Sequence, residues 1–517
     1  MERIHKFHVV SRIVEVENRS VYLVRDKWDD WFTYETMFGV VFVDAKGCQY
    51  SFGSVKIGQI NQEGRTPNLP DTFDKLSNEF FSIGINEYYY EEIRNKTVRE
   101  ELLIKLRDIS FDLSIFDDVR TLEVTRISLL RDLTETTIRG QFNRIANGGA
   151  RLTDYNFSYM LPLELTNEEV KKLSFDVECE KKPPTNIHVL IGKNGVGKTT
   201  VLKRMLYAVE NRGVREQVGQ FKGDKFSNVV FVSFSAFDMS IDISDLTDDT
   251  LEIPYTFVRL VEKERIKSGK MLADDFVDSL YIIVRGAKKH LWEKAIDILE
   301  SDSTFTELEV KRWSDFNGLK TDKSNVSEER TEGESNLLYT RRIQRRALAE
   351  VIGPKFEKLS SGHKVILLTI AKLVQLVEEK TLVLLDEPEE HLHPPLVSAF
   401  IRALSDLLIY RNGVGIVATH SPVIVQEVPK KCVWILRRWG NKITSERPRI
   451  ETFGENLGEL TSEIFGYEVT NSGFHKMIQE TAQKKSSYRS AAKYFNNELG
   501  KEARSILKSY MYEKESE

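Results

Sequence analysis

The stretch "NIHVLIGKNGVGKTTVLKRMLYAV", residues Asn186–Val209, decides how this chain is read. An apolar run of strand character leads into a glycine-punctuated turn, and an amphipathic helical pattern follows. Within it, Gly192-Lys193-Asn194-Gly195-Val196-Gly197-Lys198-Thr199 fits GxxxxGK[ST] without a gap. The glycines let backbone N–H groups curl around phosphates, and the following helix aims its positive N-terminus at them. Lys198 then reaches the β- and γ-phosphates, the Thr199 hydroxyl ligates Mg²⁺, and Thr200 is counted among the nucleotide-binding residues. ATP and Mg²⁺ are the expected ligands.

Three later segments carry the chemistry that such a loop needs. "TLVLLDEPE", Thr381–Glu389, is an apolar strand that ends in Asp386-Glu387. Asp386 stands where a carboxylate holds Mg²⁺, and Glu387 beside it can polarise the attacking water as general base. "GIVATHS", Gly415–Ser421, ends a second apolar strand in His420, whose imidazole can contact a γ-phosphate. "FEKLSSGHKVILLTIAKL", Phe356–Leu373, puts Ser360, Ser361 and Gly362 at the start of a helix, where hydroxyls and free N–H groups bind phosphate. Lys198, Glu387 and His420 are the expected catalytic groups.

Other features leave choices open. The strand "VVFVSFSAFD", Val229–Asp238, is followed by no glutamine, which leaves Ser235 or Asp238 as the candidates for a metal-facing side chain there. His391 and His393 in "EPEEHLHPPL" invite a zinc reading that ranks below an ordinary turn after the acid pair. The acids Asp242, Asp245, Asp248 and Asp249 read as a solvated loop rather than a cation site. Arg341, Arg342, Arg345 and Arg346, and separately Lys430, Lys431, Arg437 and Arg438, are two basic groups able to meet DNA phosphates.

Composition bounds the class. Hydrophobic residues make up 41% and charged residues 30% of 517, which suits a folded chain rather than a disordered one. The net charge of −5, from 74 basic and 79 acidic residues, excludes a globally basic nucleic-acid coat. Three scattered cysteines form neither a zinc ribbon nor a disulfide framework, as expected in a reducing cytoplasm. The best apolar run, Val365–Val377, carries Lys372 and is too short to span a bilayer. No membrane association is expected.

The fold expected is an α/β P-loop ATPase head with an antiparallel β layer, a helical insertion and a helical C-terminal tail. Residues 1–185 form its β-rich N-terminal part with helical segments, and 186–241 the phosphate-loop lobe. Residues 242–346 are a helical insertion containing a polar loop. The signature, acid-pair and histidine segments fill 347–450, and a helical tail takes 451–517.

With these residues in hand, "LSSGHK", "DEPEEHLHP" and "VATHSP" resemble the ABC-type ATPases, and the soluble SMC, RecF and OLD group more than transporters. In ABC geometry the signature serine faces the phosphate loop of a second subunit, so the resemblance implies a homodimer closed on ATP, with higher oligomers open. "FSIGINEYYYEEI", "ISLLRDLTETTIRGQFNRIANGGARLTDYNF" and "ETFGENLGELTSEIFGY" are similar to the PtuA ATPases of Septu antiviral systems, also found with certain retrons. That resemblance implies an HNH-type nuclease partner, PtuB-like, which the ATPase regulates. The sequence past Asp406 holds no aspartate and so offers no Toprim metal pair, and no His/Asn/His cluster suggests an internal HNH site. The alternative expectation is an SMC/RecF-like ATPase of DNA repair or DNA loading.

Overall fold

The computed structural model describes residues 4–516 apart from 27–32, 94, 132, 150–151, 163–164, 166–171, 210–217, 235–252, 260, 263–264, 285–287, 315–335, 391, 441 and 467–472. Ser235, Asp238, the acids at 242–249, the polar loop and His391 therefore lie outside the described residues. The chain divides into two units. The first comprises Met1–Phe157, Asp176–Lys181 and Gly223–Ile416, and the second Ser158–Phe175, Lys182–Lys222 and Val417–Glu517.

The first unit opens with a six-stranded sheet: β1 (Lys6–Val10), β2 (Ser20–Arg25), β3 (Met37–Val43), β4 (Gln49–Gln59), β5 (Thr72–Phe73) and β6 (Phe80–Gly84), in the order β5-β1-β2-β3-β4-β6. Alternating burial in β1 and β3 is the pattern of strands with one face on a core. Pairing is antiparallel except between β1 and β2, which run parallel. An expectation of antiparallel strands throughout is thus corrected at one pair, because the apolar period of two is the same in either direction. A register shift between Gly39 and Val41 bulges the β3–β4 pair. Phe81, Tyr89, Tyr90 and Phe142 fill the core between this sheet and the helical segments that follow it.

The same unit holds the acid-pair strand Thr381–Asp386, buried along its whole length. It pairs in parallel with Asn228–Ser233, which pairs in parallel with Tyr255–Arg259. Near-continuous apolar sequence is what a parallel strand covered on both faces requires. The signature helix Ser361–Leu376 packs on the helix Gly269–Val284, where Phe276 stacks on Phe356 at 4.6 Å and meets Trp292 and Trp313. Two glutamates stand just before the acid-pair strand. Glu378 accepts from Lys288 at 2.5 Å and Thr137 at 3.0 Å, and Glu379 accepts from Arg144 at 2.6 Å.

In the second unit the phosphate-loop strand Ile187–Ile191 is fully buried and pairs in parallel with Val433–Trp439, which folds back antiparallel onto Lys442–Glu446. The Arg447 guanidinium lies 3.7 Å over the Trp434 ring and donates to the carbonyls of Val433 and Ser174. The tail contains the helices Leu457–Phe465, Gly473–Lys484, Tyr488–Tyr494 and Lys501–Ser516. The last three share a small apolar cluster of Ile478, Ala482, Ala491, Ala492, Leu507 and Met511. Among the described residues no helix is long and apolar enough to cross a membrane.

Candidate active site: a phosphate loop and an acid pair

The phosphate loop belongs to the second unit. A Cβ on Gly192 would stand 2.5 Å from the Leu436 carbonyl oxygen, so only glycine fits where the loop leaves its strand. Gly195 and Gly197 take φ of +79° and +98°, a left-handed backbone that glycine adopts without steric penalty. Gly197 directly precedes the helix Lys198–Ala208. The Lys198 side chain is buried, and its Nζ donates to the carbonyls of Gly192 and Lys193, each at 3.1 Å. The ammonium is thus folded over the loop it serves. Lys193 and Thr199 are half-buried, whereas Asn194 and Thr200 are exposed.

Pattern reading did not single out two residues at this loop, one that braces it and one inside the strand that leads into it. Arg438 donates to the carbonyls of Gly195 at 3.0 Å and Gly440 at 2.8 Å, so it braces the loop. His188, inside the preceding strand, is 1% exposed, with Phe175 edge-on at 5.1 Å. Burial, with Arg447 and Lys431 nearby, pulls its pKa down to about 3 and keeps the ring neutral. Neither role shows in local sequence, since Arg438 reaches the loop from a strand more than two hundred residues away.

His420 follows the buried strand Val414–Thr419 and is half-buried, with the Ser421 N–H capped by Thr419 Oγ1 at 2.9 Å.

The acid pair and signature segment belong to the first unit. Asp386 ends its strand 2% exposed, opposite Ser233 in register. Glu387 has φ of +48°, a left-handed backbone that non-glycine residues seldom adopt. Strain of this kind persists where the surrounding structure over-determines it, as at functional sites. Ser360 caps the signature helix through a hydrogen bond from the His363 N–H, Ser361 is exposed, and Gly362 is buried.

Four members of the two basic groups, Arg438 among them, are engaged with acids or carbonyls. Arg345 contacts Asp278, Arg346 contacts Glu350 at 3.3 Å, and Arg437 pairs with Glu446 at 2.7 Å.

The donor set fits a nucleotide. A glycine-rich loop, a helix N-terminus and a lysine ammonium within the second unit match polyphosphate, and the Thr199 hydroxyl beside them is an oxygen donor of the kind Mg²⁺ takes. Residues 187–426 match the family described as "AAA domain, putative AbiEii toxin, Type IV TA system". Among solved structures, the chain is similar to a nucleotide-free ATP-binding cassette from an ABC transporter, at 13% identity over 60% of this chain and 95% of that one, with a TM-score of 0.28. It is also similar to the ADP conformation of another ABC-transporter cassette, at 11% identity over 62% and 98%, with a TM-score of 0.29. The protein ea59 of Escherichia phage lambda is 37% identical over 525 residues, which cover 98% of each chain. The chain carries an AAA-type P-loop domain in an α/β fold, and it belongs to the family of the phage lambda protein ea59.

Proposed function

We propose that this protein is an ABC-type ATPase, the regulatory subunit of an anti-phage defence complex, whose nucleotide cycle controls a separate HNH-type nuclease. The observation that carries the catalytic part is Glu387, an ionisable residue held in a left-handed backbone directly after a buried Asp386. In this reading Lys198 and the loop N–H groups bind the phosphates, and Thr199 and Asp386 hold Mg²⁺. Glu387 takes the proton of the attacking water, and His420 reads the γ-phosphate. Ser360, Ser361 and Gly362 of one copy would close over the phosphate loop of a second, so that ATP holds a homodimer.

The regulatory part rests on the resemblance of the quoted stretches to the PtuA ATPases. The partner would be a small HNH-type nuclease, PtuB-like, acting in the cytoplasm, with DNA met through the complex.

The test is to tag the chain at its native locus, purify it at gentle salt and identify what accompanies it by mass spectrometry. An HNH-type protein in fixed ratio, with nuclease activity that disappears when its gene is removed, supports the proposal. Cleavage of DNA by this chain alone overturns it. ATP hydrolysis stimulated by DNA in the absence of a nuclease would turn the assignment to a DNA-repair or DNA-loading ATPase.

A further inference from the structure

Beside the signature helix, three chain segments bring one carboxylate and two imidazoles to a single point. Asp302 caps the helix Ser303–Glu307, its Oδ1 accepting the Thr304 N–H at 2.9 Å. That leaves Oδ2 for other partners. His393 Nε2 lies 3.1 Å from it and His363 Nε2 lies 3.3 Å from it. All three ligand atoms fall within 4.8 Å of one another. His363 sits in the first turn of the signature helix, and His393 immediately precedes the helix Pro394–Tyr410, shortly after the acid pair.

One carboxylate oxygen can accept from both imidazoles, and the same convergence places three ligand atoms where a single ion could meet them. A metal ion at the centre would use the lone pair of each nitrogen. Bonds of about 2.0–2.1 Å in a tetrahedron set ligand atoms about 3.3 Å apart, close to the two spacings found here. The surroundings also resemble those of a metal-ligating histidine. Ser360 Oγ is 2.6 Å from His363 Nδ1, and the Phe305 ring packs edge-on at 5.1 Å, so Nε2 is fixed toward Asp302. A partner on the far nitrogen is the usual device for orienting a ligating ring. His393 is exposed, which leaves a fourth position open to water.

We infer that Asp302, His363 and His393 form a divalent transition-metal site of the zinc class. The ion ties the start of the signature helix to the segment that follows Glu387. The site lies within one unit and needs neither nucleotide nor a second subunit.

Cobalt titration of the full-length, chelator-treated, nucleotide-free protein in excess Mg²⁺ tests this. The expected result is one Co²⁺ per chain with the intense visible absorption of a tetrahedral N/O site, displaced by Zn²⁺. His393→Gln and Asp302→Asn should each weaken binding at least about tenfold. His393 is exposed, so its substitution keeps the fold and carries the test even where Asp302→Asn disturbs the cap. Absence of the absorption, binding undiminished in His393→Gln, or a thiolate charge-transfer band from a cysteine would each overturn the inference.

Discussion

The Glu378 carboxylate lies 2.5 Å from Lys288 Nζ, both side chains at least nine-tenths buried, three residues before the strand that delivers Asp386 and Glu387. Burial pushes the Glu378 pKa up, but Lys288, Arg411 and the Thr137 hydroxyl hold it below the ordinary carboxylate value. The pair is therefore ionised where water is scarce, and each partner depends on the other. Glu378→Ala should destabilise the protein by about 3–5 kcal/mol, since it strands a buried ammonium. The double variant Glu378→Leu/Lys288→Met should recover most of that loss. Denaturant unfolding of the full chain measures both, and a double variant as weak as the single one refutes the account.

Gly192 and Gly195 separate two glycine requirements in one loop. Gly192→Ala drives a Cβ into the Leu436 carbonyl and should abolish ATP binding together with Lys198→Ala. Nothing lies within 4 Å of a Cβ on Gly195, so Gly195→Ala meets only the backbone penalty of about 1–2 kcal/mol and should retain weakened binding. Equilibrium binding of a fluorescent ATP analogue ranks the three.

Glu387→Gln should bind ATP normally while hydrolysis falls by about 10²–10⁴-fold. On the dimer proposal it also accumulates an ATP-dependent dimer visible by size exclusion. Glu387→Gly should be equally inactive yet more stable, because glycine adopts φ of +48° without strain. A wild-type hydrolysis rate in Glu387→Gln would remove the residue from the general-base role.

His188 gives stability a pH signature of defined sign. Its folded pKa, about 3, lies below the ordinary 6.5, so the unfolded chain binds the extra proton as pH falls. This contribution is intact above about pH 6.5 and declines toward pH 3, by up to about 1.4 kcal/mol per pH unit. A His188→Phe variant should flatten the slope across that window in melts taken from pH 7 to pH 4, before carboxylate protonation dominates.

What was legible in sequence follows the physics of each contact. A phosphate loop, a carboxylate pair at a strand end and a helix start must be built from neighbouring residues, so they appear as unbroken strings such as Gly192–Thr199 and Ser360–Gly362. Contacts assembled by tertiary packing leave no string. Arg438 reads as one more basic residue until its strand is laid beside the phosphate-loop strand. His393 invites a zinc reading only beside His391, while Asp302 and His363 are ordinary in their own segments, and only the packing of three helix starts brings the three together. The parallel β1–β2 pair was hidden for a different reason, since strand direction leaves no mark on apolar alternation.

The six residues of Thr381–Asp386 span about 20 Å of extended chain, buried from end to end. Their foot is fixed by Glu378 and Glu379, which bind Lys288 from 90 residues back and Thr137 and Arg144 from far earlier in the chain. Positions 137, 144, 288, 378 and 379 are therefore bound into one inheritance. Among descendants of this protein, a charge change at any one of them should be accompanied by compensation at another, while the acid pair at the far end of the strand stays constant.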